Sequence, residues 1–289
     1  HSLWSFSSCE VVVSFPLRVS PLCSLAKNYL ATGAAGKPVH IEAVNYVPYG
    51  RVYWEDLYRD YEITRGLFLQ KATHDFDYMS YLMNSPITRV SAMATRGQIF
   101  GGDKPAGLVC SQCDEQETCL ESPLNRRRRG AGRDHDHHCL FSVDCGEGER
   151  LNEDCSSALV QFASGAHGTY TQVFFALRNA AERGASISGY DGKISFDWYT
   201  NQLQYIRHHD PYSATESAGE GTSHFGGDLE LAHDFIDLVR GSGRSRTPIQ
   251  VGIQSVYACL AAKESVEKGR FVKVRQVGSF ASTTSPRSK

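Results

Sequence analysis

The sequence predicts an α+β fold: an open, mostly antiparallel sheet with helices packed on one face. Three observations carry this expectation. Val39–Val47 alternates with the period of a strand that has one covered face. Short strand-like segments follow one another between Ala158 and His208, separated by turn residues, and read as a meander. Helical patterns stand before and after that run rather than between its strands. The second face of such a sheet needs a cover, and another copy of the chain is the simplest one.

Each element has its own signal. Val11 to Phe15 reads as a short buried strand, and Pro16 and Pro21 bracket a turn. Ser20 can cap a helix over Leu22–Leu30, with Leu22, Leu25, Ala26 and Tyr29 on one face and Gly33 and Gly36 ending it. Trp54–Tyr61 suits a short helix. The helix carrying Lys71 and His74 stops near Asn84-Ser85-Pro86, and Ile87–Thr95 reads as a strand. Residues 101–155 are rich in Gly, Cys, Arg, Asp and His and poor in periodic apolar positions. They read as a long insertion that cannot build its own core and needs a staple.

Regular structure resumes with a hairpin, Ala158–Phe162 and Gly168–Phe175 around Ser164-Gly165. Ala185–Gly189, Lys193–Trp198 and Leu203–His208 continue as strands, with Tyr190-Asp191-Gly192 as a turn. Two helices close the chain. Leu229, Ala232, Phe235, Ile236 and Val239 line a face of the first, which Gly241 ends. Ile253, Val256, Tyr257 and Leu260 line a face of the second, which Gly269 ends. Phe271–Val274 is a last short strand, and the tail 278–289, Ser/Thr-rich from Ser279, reads as disordered.

The bulk numbers narrow the function. The 289 residues are 41% hydrophobic and 21% charged with a net charge of −2, ordinary for a globular chain, and no global field calls for nucleic acid or an anionic membrane. No apolar run is long enough to span a bilayer, and residues 1–9 lack the pattern of a secretory signal, so a cytoplasmic location is expected.

The stretch Gly66–Asp77 (GLFLQKATHDFD) is the most informative. Lys71, His74 and Tyr78 stand at i, i+3 and i+7 on one helix face, while Phe68, Ala72, Phe76, Met79 and Met83 form an apolar face. Lysine and histidine together can polarise a carbonyl and move a proton near neutral pH. A lone histidine on a half-buried helix also suits a purely structural role, and both readings stay open at this point. Ser223–Asp228 precedes the first C-terminal helix; Asp228 can cap it, and His224 could face a pocket.

Five of the nine cysteines crowd the insertion as C-x2-C-x5-C-x19-C-x5-C. Without a secretory signal this argues for metal over disulfides. Cys110, Cys113, Cys119 and Cys139 can surround a structural Zn²⁺, with His135, His137, His138 and Cys145 as other fourth ligands; an iron–sulfur cluster or unrelated thiols are the alternatives. Four protein thiolates leave no open position, so such a site would be a staple rather than a catalyst. Arg126-Arg127-Arg128-Arg129 lies in the same segment. Asp134 and Asp136 follow it and no aromatics interleave, which favours a solvated loop over a nucleic-acid patch. No Gly-x-Gly here follows a strand and opens a helix, and there is no Walker motif or nucleophile elbow.

Together, Val11–Pro21 (VVVSFPLRVSP), Gly66–Asp77, the hairpin 157–175, Gly189–Trp198 (GYDGKISFDW) and the closing helices at 228–241 and 248–274 resemble, in order and spacing, the C-terminal two-thirds of a Gfo/Idh/MocA oxidoreductase. The resemblance runs from Val11 to about Val277. It implies a remnant of a Rossmann domain over residues 1–32 and a substrate-binding and oligomerisation domain over 33–277. It implies a sugar or polyol substrate and NAD or NADP as cofactor. His74 matches the family's histidine, which handles the proton on the reacting hydroxyl, and Asp77 the acidic residue after it. Arg18 falls at the handover between domains. The family commonly carries Asp four residues before its histidine; this chain has Gln70, with Lys71 beside it. The glycine-rich loop and the Glu-Lys-Pro-type lysine belong upstream of Ser5–Arg18, so no cofactor-binding residue is expected in this chain. The expected function is the substrate-binding portion of an NAD(P)-dependent sugar or polyol oxidoreductase. His74 and Lys71 are its expected catalytic groups, and Arg18, Gln70, Asp77, Tyr78 and His224 bind substrate. Redox-neutral chemistry through transient oxidation is compatible with the same residues. The rival expectation is a non-catalytic, metal-stapled assembly module.

Overall fold

The computed structural model describes residues 10–130, 134–145, 151–219 and 223–278; the expected disordered tail from Ser279 lies outside them. Alternation in Val39–Val47 produces β1 (His40–Tyr46), which buries Ile41, Ala43 and Asn45 on one side and leaves Glu42 exposed on the other. It lies in the middle of a nine-stranded sheet. The other strands are β2 (Ile87–Thr95), β3 (Cys155–Phe162), β4 (His167–Val173), β5 (Glu182–Ser188), β6 (Gly192–Asp197), β7 (Gln202–Arg207), β8 (Ser213–Glu216) and β9 (Val272–Lys273). Their order is β8-β7-β6-β5-β1-β4-β3-β2-β9. Every neighbouring pair is antiparallel except β1 with β4, so the sheet is open and mostly antiparallel as expected.

Three helices cover one face. They are α2 (Pro21–Ala31), α4 (Ala72–Leu82) and α7 (Ile249–Lys268), and the main core lies between them and the sheet. Ser20 caps α2 by accepting from Cys23 N, and Pro21 opens it where no amide partner is needed. Phe68, Ala72, Phe76, Met79 and Met83 are all buried, as their period required. The opposite sheet face keeps a shallow hollow of about 390 Å³ that holds Glu42, Glu182 and Asp197. Burial first, then Asp197 and Glu42, pushes the Glu182 carboxyl above its ordinary range.

Several expectations change in three dimensions. Val11–Phe15 is not a strand: Val12 makes one isolated bridge to Pro248, whose missing N–H ends the ladder, and Pro16 opens a short helix, α1 (Pro16–Val19). Trp54–Tyr61 breaks into three helical turns, Val52–Glu55, Leu57–Arg59 and Tyr61–Thr64. The Lys71/His74 helix is two pieces, α3 (Leu67–Gln70) and α4, because Lys71 leaves helical geometry at φ −124°.

The closing helices also bury other faces than expected. In α6 (Gly227–Val239), Leu229, Phe235, Ile236 and Val239 stay exposed, and only Gly227 and Leu231 are buried. In α7, Val256 and Leu260 face outward, while Gly252, Ser255, Ala258, Cys259, Ala261, Ala262 and Ser265 face the core. Close helix–sheet and helix–helix packing selects the small residues. The period alone pointed to the large ones.

The insertion does acquire a core, but a shared one. Leu140 and Cys145 join Val47, Tyr53, Trp54, Leu67, Phe100 and Phe174 in a second cluster. The arginine run is solvated only in part. Arg126, Arg127 and Arg128 lie on α5 (Pro123–Arg128), capped by Ser122; Arg127, Arg128 and Arg129 are exposed, and Arg126 is fully buried. Its guanidinium meets Glu55 at 2.7 Å and Glu121 at 3.0 Å, so the charge is matched where water is absent. Removing one partner of such a pair strands the other. Arg126→Ala is expected to cost about 3 to 5 kcal/mol of unfolding free energy. Urea titration checks this, and a loss under about 1 kcal/mol, the scale of a surface pair, would contradict it.

Candidate active site

The expected thiolate cage is not assembled. Among the described residues no three of the sulfurs of Cys110, Cys113, Cys119 and Cys139 lie within 4.8 Å of one another. Cys110 Sγ stands 3.8 Å from His137 Nδ1 instead. Burial, followed by neighbouring Cys139 and Cys119, pushes the Cys110 thiol up to about 12.

The helical region between Gly66 and Leu82 places the other candidates. Gly66, at φ +94°, turns the chain into α3, a conformation open to glycine. Gln70 ends α3 half-buried, and Lys71 follows at the break. Lys71 Nζ lies 2.6 Å from the Tyr49 hydroxyl. Burial, then the Arg183 guanidinium, holds the Lys71 ammonium below its ordinary range.

His74 sits one turn into α4, half-buried, with Phe15 edge-on at 5.5 Å. Its Nδ1 is buried without a hydrogen-bond partner. The His224 ring stacks against it at 6.4 Å and 27°. His224 and Phe225 both adopt left-handed backbone, φ 44° and 56°, which costs about 1 to 2 kcal/mol per residue. Gly227 permits this approach: a Cβ there would stand 2.1 Å from the Pro16 carbonyl oxygen. Asp228 is not the helix cap. Gly226 takes that position, and the Asp228 carboxylate lies 2.8 Å from His224 Nδ1. Burial lowers His74 to about 4, with Arg183 the next cause and Asp75 opposing. At neutral pH the imidazole is uncharged and able to accept a proton.

Beneath His74 lies an ion pair that the sequence reading missed. Asp75 is fully buried, and Arg183 on β5 grips it with Nη2 at 2.9 Å from both carboxylate oxygens and Nε at 3.1 Å from Oδ1. The Tyr170 hydroxyl at 3.0 Å and Asn45 Nδ2 at 3.3 Å complete the carboxylate's partners. Gln172 and Ser156 extend the network across β4 and β3. A signal existed. Arg183 has the same strand phase as the buried Ala185 and Ile187, and an inward arginine requires an inward acid. Tyr49 and Tyr199, both partly exposed, stand in the same electrostatic neighbourhood, and burial pushes Tyr199 up to about 12. Neither was expected.

Three predicted residues face elsewhere. Tyr78 is core: its hydroxyl donates to the Gly184 carbonyl at 3.2 Å and Trp198 packs against its ring at 5.0 Å. Arg18 and Asp77 bind each other, with Nε–Oδ2 at 2.9 Å and Nη2–Oδ1 at 2.6 Å. They line a cavity of about 320 Å³ with Lys27, Ser80, Tyr81 and Ser255, and His74 does not reach it. Burial outweighs Arg18 there and raises Asp77 to about 6. The structure thus brings together His74, His224 and Lys71, with Gln70 adjacent, and leaves Tyr78, Arg18 and Asp77 to packing and charge pairing.

Among the described residues no glycine-rich turn joins a strand to a helix in a βαβ unit, and the parallel strands β1 and β4 are separated in sequence by β2 and β3. No described helix is long and apolar enough to cross a membrane.

Comparisons follow from this geometry. No curated protein matches the chain. Solved structures of the same fold include the apo form of levoglucosan dehydrogenase (TM-score 0.67, 19% identity, 92% of this chain and 67% of that one). Others are an NAD binding oxidoreductase from Klebsiella pneumoniae (0.63, 20%, 93% and 67%) and an oxidoreductase domain protein from Kribbella flavida (0.65, 16%, 91% and 66%). The chain spans about two thirds of the length of these structures. The family model described as the oxidoreductase family C-terminal alpha/beta domain matches residues 27–274. With that match over most of its length, and the open sheet to go with it, this chain belongs to the Gfo/Idh/MocA oxidoreductase family.

Proposed function

We propose that this chain is the substrate-binding portion of an NAD(P)-dependent sugar or polyol oxidoreductase, with His74 as general base on a secondary hydroxyl. One observation carries the reading: a neutral, half-buried imidazole with an unpartnered Nδ1, flanked by a second histidine and an amine. Family membership supports oxidoreductase chemistry. Levoglucosan dehydrogenase, a neighbour in fold, has been solved with NADH and levoglucosan and with NADH and L-sorbose, which supports a hydroxylated guest.

In this reading His74 takes the hydroxyl proton, and the Lys71 ammonium stabilises the oxygen as negative charge develops on it. His224, held by Asp228, and Gln70 orient neighbouring hydroxyls. NAD or NADP would receive the hydride, and no described residue forms its cradle. A second copy of the chain is proposed to cover the open sheet face. The rival reading, a non-catalytic assembly module, is favoured by the exposed apolar row Leu229, Phe235, Ile236 and Val239. Polyol binding separates the two.

Titrating a panel of sugars and polyols into the chain is expected to move the His74 imidazole resonances for at least one of them. His74→Ala should weaken that guest at least about tenfold while leaving the melting temperature within a few degrees, since the ring is half-buried and one nitrogen has no partner. No perturbation by any polyol, or unchanged affinity in the variant, contradicts the reading.

The His74 resonance should titrate with a midpoint near 4. The folded value lies below the ordinary 6.5, so its contribution to stability is complete above pH 6.5 and is lost as pH falls through about 4. His74→Gln should therefore lose less stability than the parent over that window. A midpoint at or above 6.5 contradicts the assigned environment.

A further inference from the structure

A second cluster of chemical groups lies away from His74, where the insertion meets the body. Glu55 and Asp56 stand at the end of the turn Val52–Glu55, and His135 arrives from the stretch after α5. One ligand atom from each lies within 4.8 Å of the other two. His135 Nε2 is 3.1 Å from Asp56 Oδ2. Donors about 2.0 to 2.1 Å from a tetrahedral ion stand about 3.4 Å apart, so this separation, a hydrogen bond as the cluster stands, also suits atoms that share one metal.

Hydrogen bonding alone does not complete the cluster. Glu55 is 1% exposed, and its Oε1 meets Arg126 Nη1 at 2.7 Å. Its Oε2 is buried with no hydrogen-bond partner at all. A buried carboxylate oxygen with no donor costs more than an ordinary unmade hydrogen bond. A cation beside it removes that cost. The charge balance agrees. Arg126 and Arg51, the latter 2.6 Å from Glu121, match Glu55 and Glu121, and Asp56, whose partners are His135 and His138, adds a carboxylate that no guanidinium matches among the described ion pairs.

The surroundings hold the chain in place for such a site. His138 donates its backbone N–H to the Glu55 carbonyl at 3.1 Å, and its ring Nδ1 lies 3.0 Å from the same oxygen. His137 is turned away, with Nδ1 2.7 Å from the His138 carbonyl. Asp56 and His135 are about half exposed, which leaves the remaining coordination positions to water.

We propose that Glu55, Asp56 and His135 bind one divalent transition-metal ion of the Zn²⁺ class, and that this ion staples the insertion to the body. An imidazole in the set selects this class over Mg²⁺ and Ca²⁺, which take oxygen ligands. The site uses none of the insertion's cysteines and is independent of the reading of His74.

The test is calorimetric titration of ZnCl₂ into the full chain after chelator treatment. Three forms are compared: the parent, the double variant Asp56→Asn with His135→Ala, and the double variant Cys110→Ser with Cys113→Ser. The parent and the cysteine variant should share a one-equivalent binding step that is at least about 100-fold weaker in the Asp56/His135 variant. Zn²⁺ should raise the melting temperature of the parent and of the cysteine variant and not of the Asp56/His135 variant. Asp56 and His135 are exposed, so far-UV circular dichroism should report an unchanged fold. No zinc binding by the parent, equal binding by the Asp56/His135 variant, or loss only in the cysteine variant overturns the proposal.

Discussion

The buried pair of Asp75 and Arg183 is the interaction on which the rest of this molecule rests. It joins α4 to β5, and through Tyr170 and Asn45 to β4 and β1, so one carboxylate ties the helix that carries His74 to three strands. The two charges nearly cancel in a place without water, which is the condition under which such a pair can persist. Its field also reaches the surface. Arg183 depresses both His74 and Lys71, and Asp75 partly restores them. The proton affinity of the candidate base is thus set one layer below it.

Around that platform the chain places its histidines by backbone strain and close contact. Two consecutive non-glycine residues in left-handed conformation are costly, and the contact of Gly227 with Pro16 holds α6 near enough to make them necessary. The result is a stacked pair, one ring with an unpartnered nitrogen and the other fixed by Asp228. Aromatic residues frame the pair: Phe15 packs against His74, and Tyr199 packs against Phe225. A hydroxylated guest with apolar C–H faces would find both kinds of partner there.

Much of the sheet was legible because its strands alternate: β1, β2 and the hairpin of β3 and β4 fall close to where their patterns put them. β8 was missed because Ser213–Glu216 has almost no apolar residue; it forms by pairing with β7 at the sheet's edge. His74 and His224 were legible as chemistry, but their meeting was not, since 150 residues separate them in the chain. Tyr78 was misjudged because a helix face says nothing about how deep each turn lies, and β5 covers that turn. Arg18 and Asp77 were read as substrate groups for want of any sign that they would find each other. The cysteines show the limit of spacing arguments. Their intervals suit a metal, yet the folded insertion packs Leu140 and Cys145 into a core shared with the body and buries Arg126, and no three of the four sulfurs lie within 4.8 Å of one another.

The claim that Asp75 and Arg183 act as one unit is tested most directly by a double-mutant cycle in urea, using Asp75→Asn, Arg183→Gln and both together. The account predicts that the two single changes are each severely destabilising and that the double change costs much less than their sum, with a coupling of about 2 to 3 kcal/mol. Additive losses, with a coupling near zero, would contradict it.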